Sequence, residues 1–271
     1  MSSPPRLRSW IALACAAASI AGVRASLRTI ARRYLFPVHE VTAPAVDLHG
    51  VETWTLRASD GVPVRALFLA PPTNGPVVVA FHNNRSTAED QIALARALAT
   101  HGLGVVIPEY RGYGAMHGYE PSEEALFRDA DAVLDHLHRE GYTASRIVLL
   151  GTSLGTGVAA EMARRGHGSA LVLVTPYTSI PDLVTDAVSF APAKQIVPDS
   201  FDTLACAPQI RVPTLVIHGD SDEIVPFWMG RRVAASIAGA RLLRIAGGRH
   251  GNLFTLAGQM LIGEIAAMAR R

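Results

Sequence analysis

Apolar and polar positions alternate with a period of two over ETWTLRA (52–58) and VPVRALFLA (62–70), and SDG (59–61) supplies a turn between them. This predicts an antiparallel hairpin at a sheet edge. Six continuous apolar runs follow: VVVAFH (77–82), LGVVIP (103–108), RIVLLG (146–151), ALVLVT (170–175), TLVIHG (214–219) and RLLRIA (241–246). Strands covered on both faces read this way, and parallel sheets are built from them. Between the runs lie segments with helical spacing. TAEDQIALARALATHG opens with Thr87 as a cap, sets Ile92, Leu94, Ala95 and Leu98 on one face, and stops at Gly102. SEEALFRDADAVLDHLHREG opens at Ser122, turns Leu126, Ala130, Val133, Leu134 and Leu137 inward, and stops at Gly141. Its acidic first turn suits the helix dipole. A hairpin followed by repeated strand and helix units predicts an α/β protein, a mostly parallel sheet with helices on both faces. From Pro176 to Val212 the prolines multiply and the periodicity fails. That interval predicts an irregular or short-helical insertion, either a connection packing its own side chains or a small cap over a substrate pocket.

Of the 271 residues, 49% are hydrophobic and 18% charged, enough for one sizeable core. A net charge of +2 with no long basic run beyond the N-terminus argues against a nucleic-acid partner. The two cysteines, Cys15 and Cys206, make neither a disulfide framework nor a metal cluster, and Cys206 in CAPQI reads as a structural thiol. The first 35 residues differ from the rest. Arg6 and Arg8 precede the apolar stretch at 10–23, and Arg24, Arg28, Arg32 and Arg33 follow it. The stretch is shorter than the ~20 residues of a spanning helix, so it reads as a signal peptide core with cleavage before Ser26. An uncleaved signal anchor is the competing reading. The expected organisation is thus residues 1–35 as signal or membrane anchor, with an exported or membrane-associated location, and 36–271 as one folded domain.

GTSLG (151–155) fits the GxSxG nucleophile elbow, with a buried strand before it and an alanine-rich helix after it. Its glycines let neighbouring backbone approach on both sides of a sharp strand-to-helix turn, which lifts Ser153 above the sheet edge. A lone hydroxyl is a poor nucleophile and needs a base and an orienting acid. TLVIHGDSDEIVP offers Asp220 or Asp222 just past a strand, and GGRHGN offers His250 just past the last one. All three positions fall at the carboxyl edge of a parallel sheet. No metal-ligand cluster, phosphate loop or dinucleotide fingerprint competes, so no cofactor is expected.

With FHNN, PEYRGYG, PSEEAL, GTSLG, HGDSDEIVP and GRHGN in this order, residues 36–271 resemble the α/β-hydrolase superfamily, in particular its BEM46 and ABHD-type members. The resemblance implies the α/β-hydrolase fold with a short cap-like insertion, and Asp222 as the acid. It also implies an oxyanion hole from the backbone N–H groups of Leu154 and Asn84. Where the family commonly has HGN, this chain has HNN at 82–84. Asn83 thus replaces a glycine, and three outcomes stay open: a left-handed backbone that Asn tolerates, a side-chain amide offered to the site, or a cap on the next helix. Met116 stands where the family often has serine, which bears on the hydrogen bonding of its loop. His39, His49 and His101 read as surface or packing residues, and His82 and His218 as structural hydrogen-bonding groups. The implied activity is hydrolysis of carboxylic esters or thioesters, of lipid or acyl-protein substrates at a membrane. The alternatives are a prolyl-oligopeptidase-type peptidase and a non-catalytic binding protein on the same scaffold.

Overall fold

The protein is described from a computed structural model that covers residues 22–23, 25–72, 75–188 and 193–270. The apolar stretch before residue 22, with Cys15, lies outside the described residues, as do Pro192 and Phe190 of the insertion.

Eight strands form one sheet: β1 (Glu52–Arg57), β2 (Pro63–Leu69), β3 (Val77–Phe81), β4 (Gly104–Pro108), β5 (Ile147–Thr152), β6 (Ala170–Val174), β7 (Thr214–Gly219) and β8 (Arg241–Ile245). Their spatial order is β1-β2-β4-β3-β5-β6-β7-β8. The hairpin β1–β2 pairs antiparallel and β2 joins β4 antiparallel, while every pairing from β4 to β8 is parallel. The pleat divides the core in two. Val77, Val79 and Phe81 face one layer and Val78 and Ala80 the other, as alternation along a doubly covered strand requires.

A helix over residues 25–35 (α1) precedes the sheet. The helices α2 (Ile92–Ala99) and α9 (Leu253–Met268) cover one face; α3 (Glu123–Arg139), α4 (Leu154–Arg164) and α8 (Phe227–Ser236) cover the other. Helix α3 follows its pattern closely. The Ser122 hydroxyl accepts from the Ala125 N–H at 3.2 Å, and all five expected positions are buried. Helix α2 starts later than expected. Thr87 does not cap it: its N–H and its hydroxyl both donate to the Asp90 carboxylate, and a 3-10 turn (Glu89–Gln91) precedes Ile92. Strand β8 also departs from its reading, since only Ile245 is buried. It is the sheet edge, with Arg241 and Arg244 paired to Glu264 and Asp220, and edge charge discourages pairing with another chain.

The insertion contains α5 (Ile180–Ala187), α6 (Ala193–Ile196), α7 (Thr203–Cys206) and a 3-10 turn (Ala207–Gln209). It packs against α3 and the segment that follows α1. Phe201 is fully buried and meets Phe36 and Phe127 edge-on, with ring centroids 6.3 and 5.7 Å away. Glu123 at the head of α3 accepts the N–H groups of Ser200 and Phe201, and Asp199 accepts from Arg32 of α1 and from the Glu123 N–H.

Candidate active site

The chain turns from β5 into α4 within one residue. Ser153 has φ +50° and ψ −115°, a region that a residue bearing a Cβ rarely adopts. Two glycines make the turn sterically open. A Cβ at Gly151 would lie 2.3 Å from the Gly155 carbonyl oxygen, and one at Gly155 would lie 2.1 Å from that of Phe81. The elbow therefore rests against the end of β3, and the Ser153 N–H ties it to β6 through the Val174 carbonyl at 2.9 Å.

The connections after β7 and β8 are held together in the same manner. A Cβ at Gly219 would lie 2.2 Å from the Gly248 carbonyl oxygen. The Asp220 and Ser221 N–H groups donate to Ile245 and Gly248. This brings Asp222 to His250. The imidazole Nδ1 is 2.9 Å from one Asp222 oxygen and 3.1 Å from the other, and Nε2 is 3.0 Å from Ser153 Oγ. A carboxylate only accepts, so Nδ1 carries the proton and Nε2 presents its lone pair to the serine hydroxyl. Of the two aspartates left open by the residues alone, Asp222 faces the histidine. Asp220 accepts from Arg244 at 2.7 Å and from the Gly247 N–H at 2.8 Å, and so fastens the two connections.

The Asp222 side chain is fully buried. Burial alone would raise its pKa, but hydrogen bonds from His218 and His250, the charge of His250 and the Val225 N–H together hold it well below the usual carboxylate range. One oxygen accepts from the Ile224 and Val225 N–H groups at 2.9 and 2.8 Å. His218 Nε2 donates to the Val225 carbonyl at 2.9 Å and lies 3.4 Å from the other carboxylate oxygen. Its ring is wedged against Gly230, where a Cβ would meet Nδ1 at 2.1 Å. The structural role expected of His218 thus bears directly on the acid.

Leu154 opens α4 directly after the serine, and Asn84 lies in the connection after β3 that the elbow touches. That connection is firmly clamped. Tyr110 donates its hydroxyl to the His82 carbonyl and Tyr113 to the Asn84 carbonyl, both at 3.1 Å. Burial, with the neighbouring Tyr177, Tyr113 and Glu109, raises the Tyr110 pKa far above its ordinary value, so the hydroxyl stays a donor. His82 Nδ1 lies 2.8 Å from the Asn83 carbonyl. Neither the Leu154 nor the Asn84 N–H is consumed by the bonds that hold these segments.

Two of the outcomes open for Asn83, the left-handed backbone and the helix cap, are not what the structure shows. Positive φ outside glycine occurs, among the described residues, at Ser153, Thr175 and Phe201, so Asn83 is not left-handed. Its side-chain oxygen accepts the Arg85 N–H at 2.8 Å, a local turn that caps no helix. The Asn84 side-chain amide donates to the Leu35 carbonyl at 2.9 Å. Met116 leaves its loop intact because main chain closes it: Met116 N–H donates to Tyr113 and Gly112 N–H to Met116. His39, His49 and His101 are exposed. Cys206 is half-buried with its thiol 3.5 Å from Glu161, and burial followed by that carboxylate pushes its pKa up to about 12, far from a reactive thiolate.

The tyrosine clamp and the His218 contact escaped the motif reading, although PEYRGYG and HGDSD contain the residues. No group of three or more metal-ligating side chains occurs among the described residues.

Comparison with known proteins gives concordant results. The sequence pattern described as "Serine aminopeptidase, S33" matches residues 73–197. An α/β hydrolase domain-containing protein, WAV2 of Arabidopsis thaliana, is 31% identical over 207 residues, covering 69% of this chain and 67% of WAV2. The lysophosphatidylserine lipase ABHD12 of Rattus norvegicus is 30% identical over 199 residues, covering 64% of this chain and 48% of that protein. Among solved structures, an esterase of Pyrococcus furiosus superposes with a TM-score of 0.71 at 14% identity, over 85% of this chain and 97% of the esterase.

Proposed function

The chain belongs to the α/β-hydrolase superfamily, and we propose that within it the protein is a serine hydrolase cleaving carboxylic esters or thioesters through an acyl-enzyme. The observation that carries this reading is the unbroken line Ser153 Oγ, His250 Nε2, His250 Nδ1, Asp222, with both gaps at hydrogen-bond length. His250 takes the serine proton as Oγ attacks the acyl carbon. Asp222 stabilises the resulting imidazolium and fixes its tautomer. The backbone N–H groups of Leu154 and Asn84 receive the oxyanion. His250 then protonates the departing alcohol or thiol, and water, deprotonated by the same imidazole, releases the acid.

One relative supports an ester of lipid character, the lysophosphatidylserine lipase among the sequences. A specific observation favours a second reading, hydrolysis of peptide amides, because the matching sequence pattern bears the name of a serine aminopeptidase. One screen separates the two. p-Nitrophenyl esters of increasing chain length are run beside aminoacyl p-nitroanilides, with Ser153→Ala as control. The ester reading expects turnover of esters and none of anilides. Anilide turnover exceeding that of every ester would move the protein to the peptidases.

A further inference from the structure

The connection after β3 carries Asn84, and its two ends meet at one carboxylate that the hydrolysis proposed above does not use. Glu109 directly follows β4, and its side chain is fully buried. At the head of the connection, Glu109 Oε1 lies 3.3 Å from His82 Nε2, and neither atom makes a hydrogen bond elsewhere among the described residues. At the tail, Glu109 Oε2 accepts the Ala88 N–H at 3.2 Å. Arg65 of β2 stands 3.8 Å from Oε2 and pairs with Glu89 at 2.8 Å. Gly114 leaves room for the carboxylate, because a Cβ there would collide with Oε2.

The other ring nitrogen of His82 shows what this contact serves. Nδ1 lies 2.8 Å from the Asn83 carbonyl, which only accepts, so Nδ1 carries a proton. Two lone pairs facing each other away from water would repel, so a second proton lies between Nε2 and Glu109 Oε1. The Asn83 carbonyl and the Asn84 N–H belong to one peptide unit, planar and trans, so the two point in opposite directions. Holding the carbonyl therefore aims the N–H, and a hydrogen bond accepted by that carbonyl polarises the N–H as a donor. The ring itself is seated on Tyr110, with centroids 4.0 Å apart. As a source of stability a buried carboxylate is a poor choice, since an apolar side chain of its volume avoids the desolvation cost. We propose that Glu109, acting through the His82 imidazole, is a positioning residue that sets the Asn84 N–H toward the oxyanion. This rests on the reading of Ser153 as the nucleophile.

Two substitutions separate the contacts from the charge. In Glu109→Gln the amide NH2 can donate to Nε2 and the amide oxygen can accept from Ala88, so both contacts survive; in Glu109→Leu neither does. Kinetics on the best p-nitrophenyl ester are paired with amide spectra of the full chain labelled with 15N-asparagine, which has four such residues, 74, 83, 84 and 252. In Glu109→Leu, kcat should fall about tenfold with KM changed by less than about twofold. The Asn84 amide resonance should move while that of Asn252, at the start of α9, stays. Glu109→Gln should return both readouts to the parent's. If Glu109→Leu does not fold, His82→Phe, which keeps a ring on Tyr110, should show the same loss in kcat. A folded Glu109→Leu or His82→Phe with the parent's kcat would overturn the proposal, as would an unmoved Asn84 amide in Glu109→Leu. Glu109→Gln as impaired as Glu109→Leu would do so too, by assigning the effect to charge. A parent that takes up no fluorophosphonate would overturn the reading of Ser153 and this role with it, whereas a labelled parent with an unmoved amide would overturn this role alone.

Discussion

At the scale of residues, the site is a chain of obligations passed outward from one strained serine. Ser153 holds a positive φ that costs on the order of 1–3 kcal/mol, so its neighbours must over-determine it. His250 is oriented by Asp222, Asp222 by two main-chain N–H groups and by His218, and His218 by the absence of a side chain at Gly230. The proposed oxyanion side has a parallel order, in which Tyr113 holds the Asn84 carbonyl. Tyr113→Phe removes that single hydroxyl. A hydrogen bond of this kind contributes about 1 kcal/mol, so kcat should fall about fivefold with KM little changed, as measured on the best p-nitrophenyl ester. An unchanged kcat would show that the loop needs no clamp. The serine and the histidine were legible in the motifs because chemistry demands those residue types, whereas the choice between Asp220 and Asp222 came from the family resemblance alone. The clamp was not legible, since tyrosine in PEYRGYG is equally at home as a packing residue, and only coordinates show where its hydroxyl points.

At the scale of elements, close approach decides more than propensity. Helix α4 meets the end of β3 at Gly155, where an added Cβ would fall 2.1 Å from a carbonyl oxygen and 2.8 Å from a second. Gly155→Ala should therefore destabilise by about 1–3 kcal/mol or more, read as a drop in Tm or loss of soluble protein. A variant as stable as the parent would contradict the packing of elbow against β3. The hairpin is secured elsewhere. Asp60 in the β1–β2 turn pairs with Arg111 after β4, and its hydrogen bond to Arg111 in the first place holds its pKa down at about 2, against the smaller opposing effect of burial. A depressed carboxylate stabilises the fold above its unfolded value near 4, and that contribution is lost as pH falls through the folded value. Asp60→Asn should lower stability by about 1 kcal/mol or less at pH 7, and the gap to the parent should close between pH 4 and pH 2 in denaturant titrations. A gap independent of pH would assign the loss to something other than charge. The succession of strands and helices and the buried positions of α3 could be read from periodicity. The late start of α2 could not, because Thr87 satisfies Asp90 in place of its own helix, and no pattern of apolar positions reports that choice.

At the scale of the whole molecule, the fold is an apparatus for convergence. Parallel strands carry Asn84, Ser153, Asp222 and His250 out of the same edge of one sheet, from points far apart in the chain. Alternation of strand and helix made that edge foreseeable, because connections leaving carboxyl ends must gather there. The central claim remains the chemical competence of the serine. A fluorophosphonate probe added to the folded full chain, followed by mass mapping of the adduct, tests it most directly. A single adduct on Ser153, absent from Ser153→Ala and strongly reduced in His250→Ala, is the predicted result; a folded protein that takes up no probe, or takes it up at another residue, would contradict it.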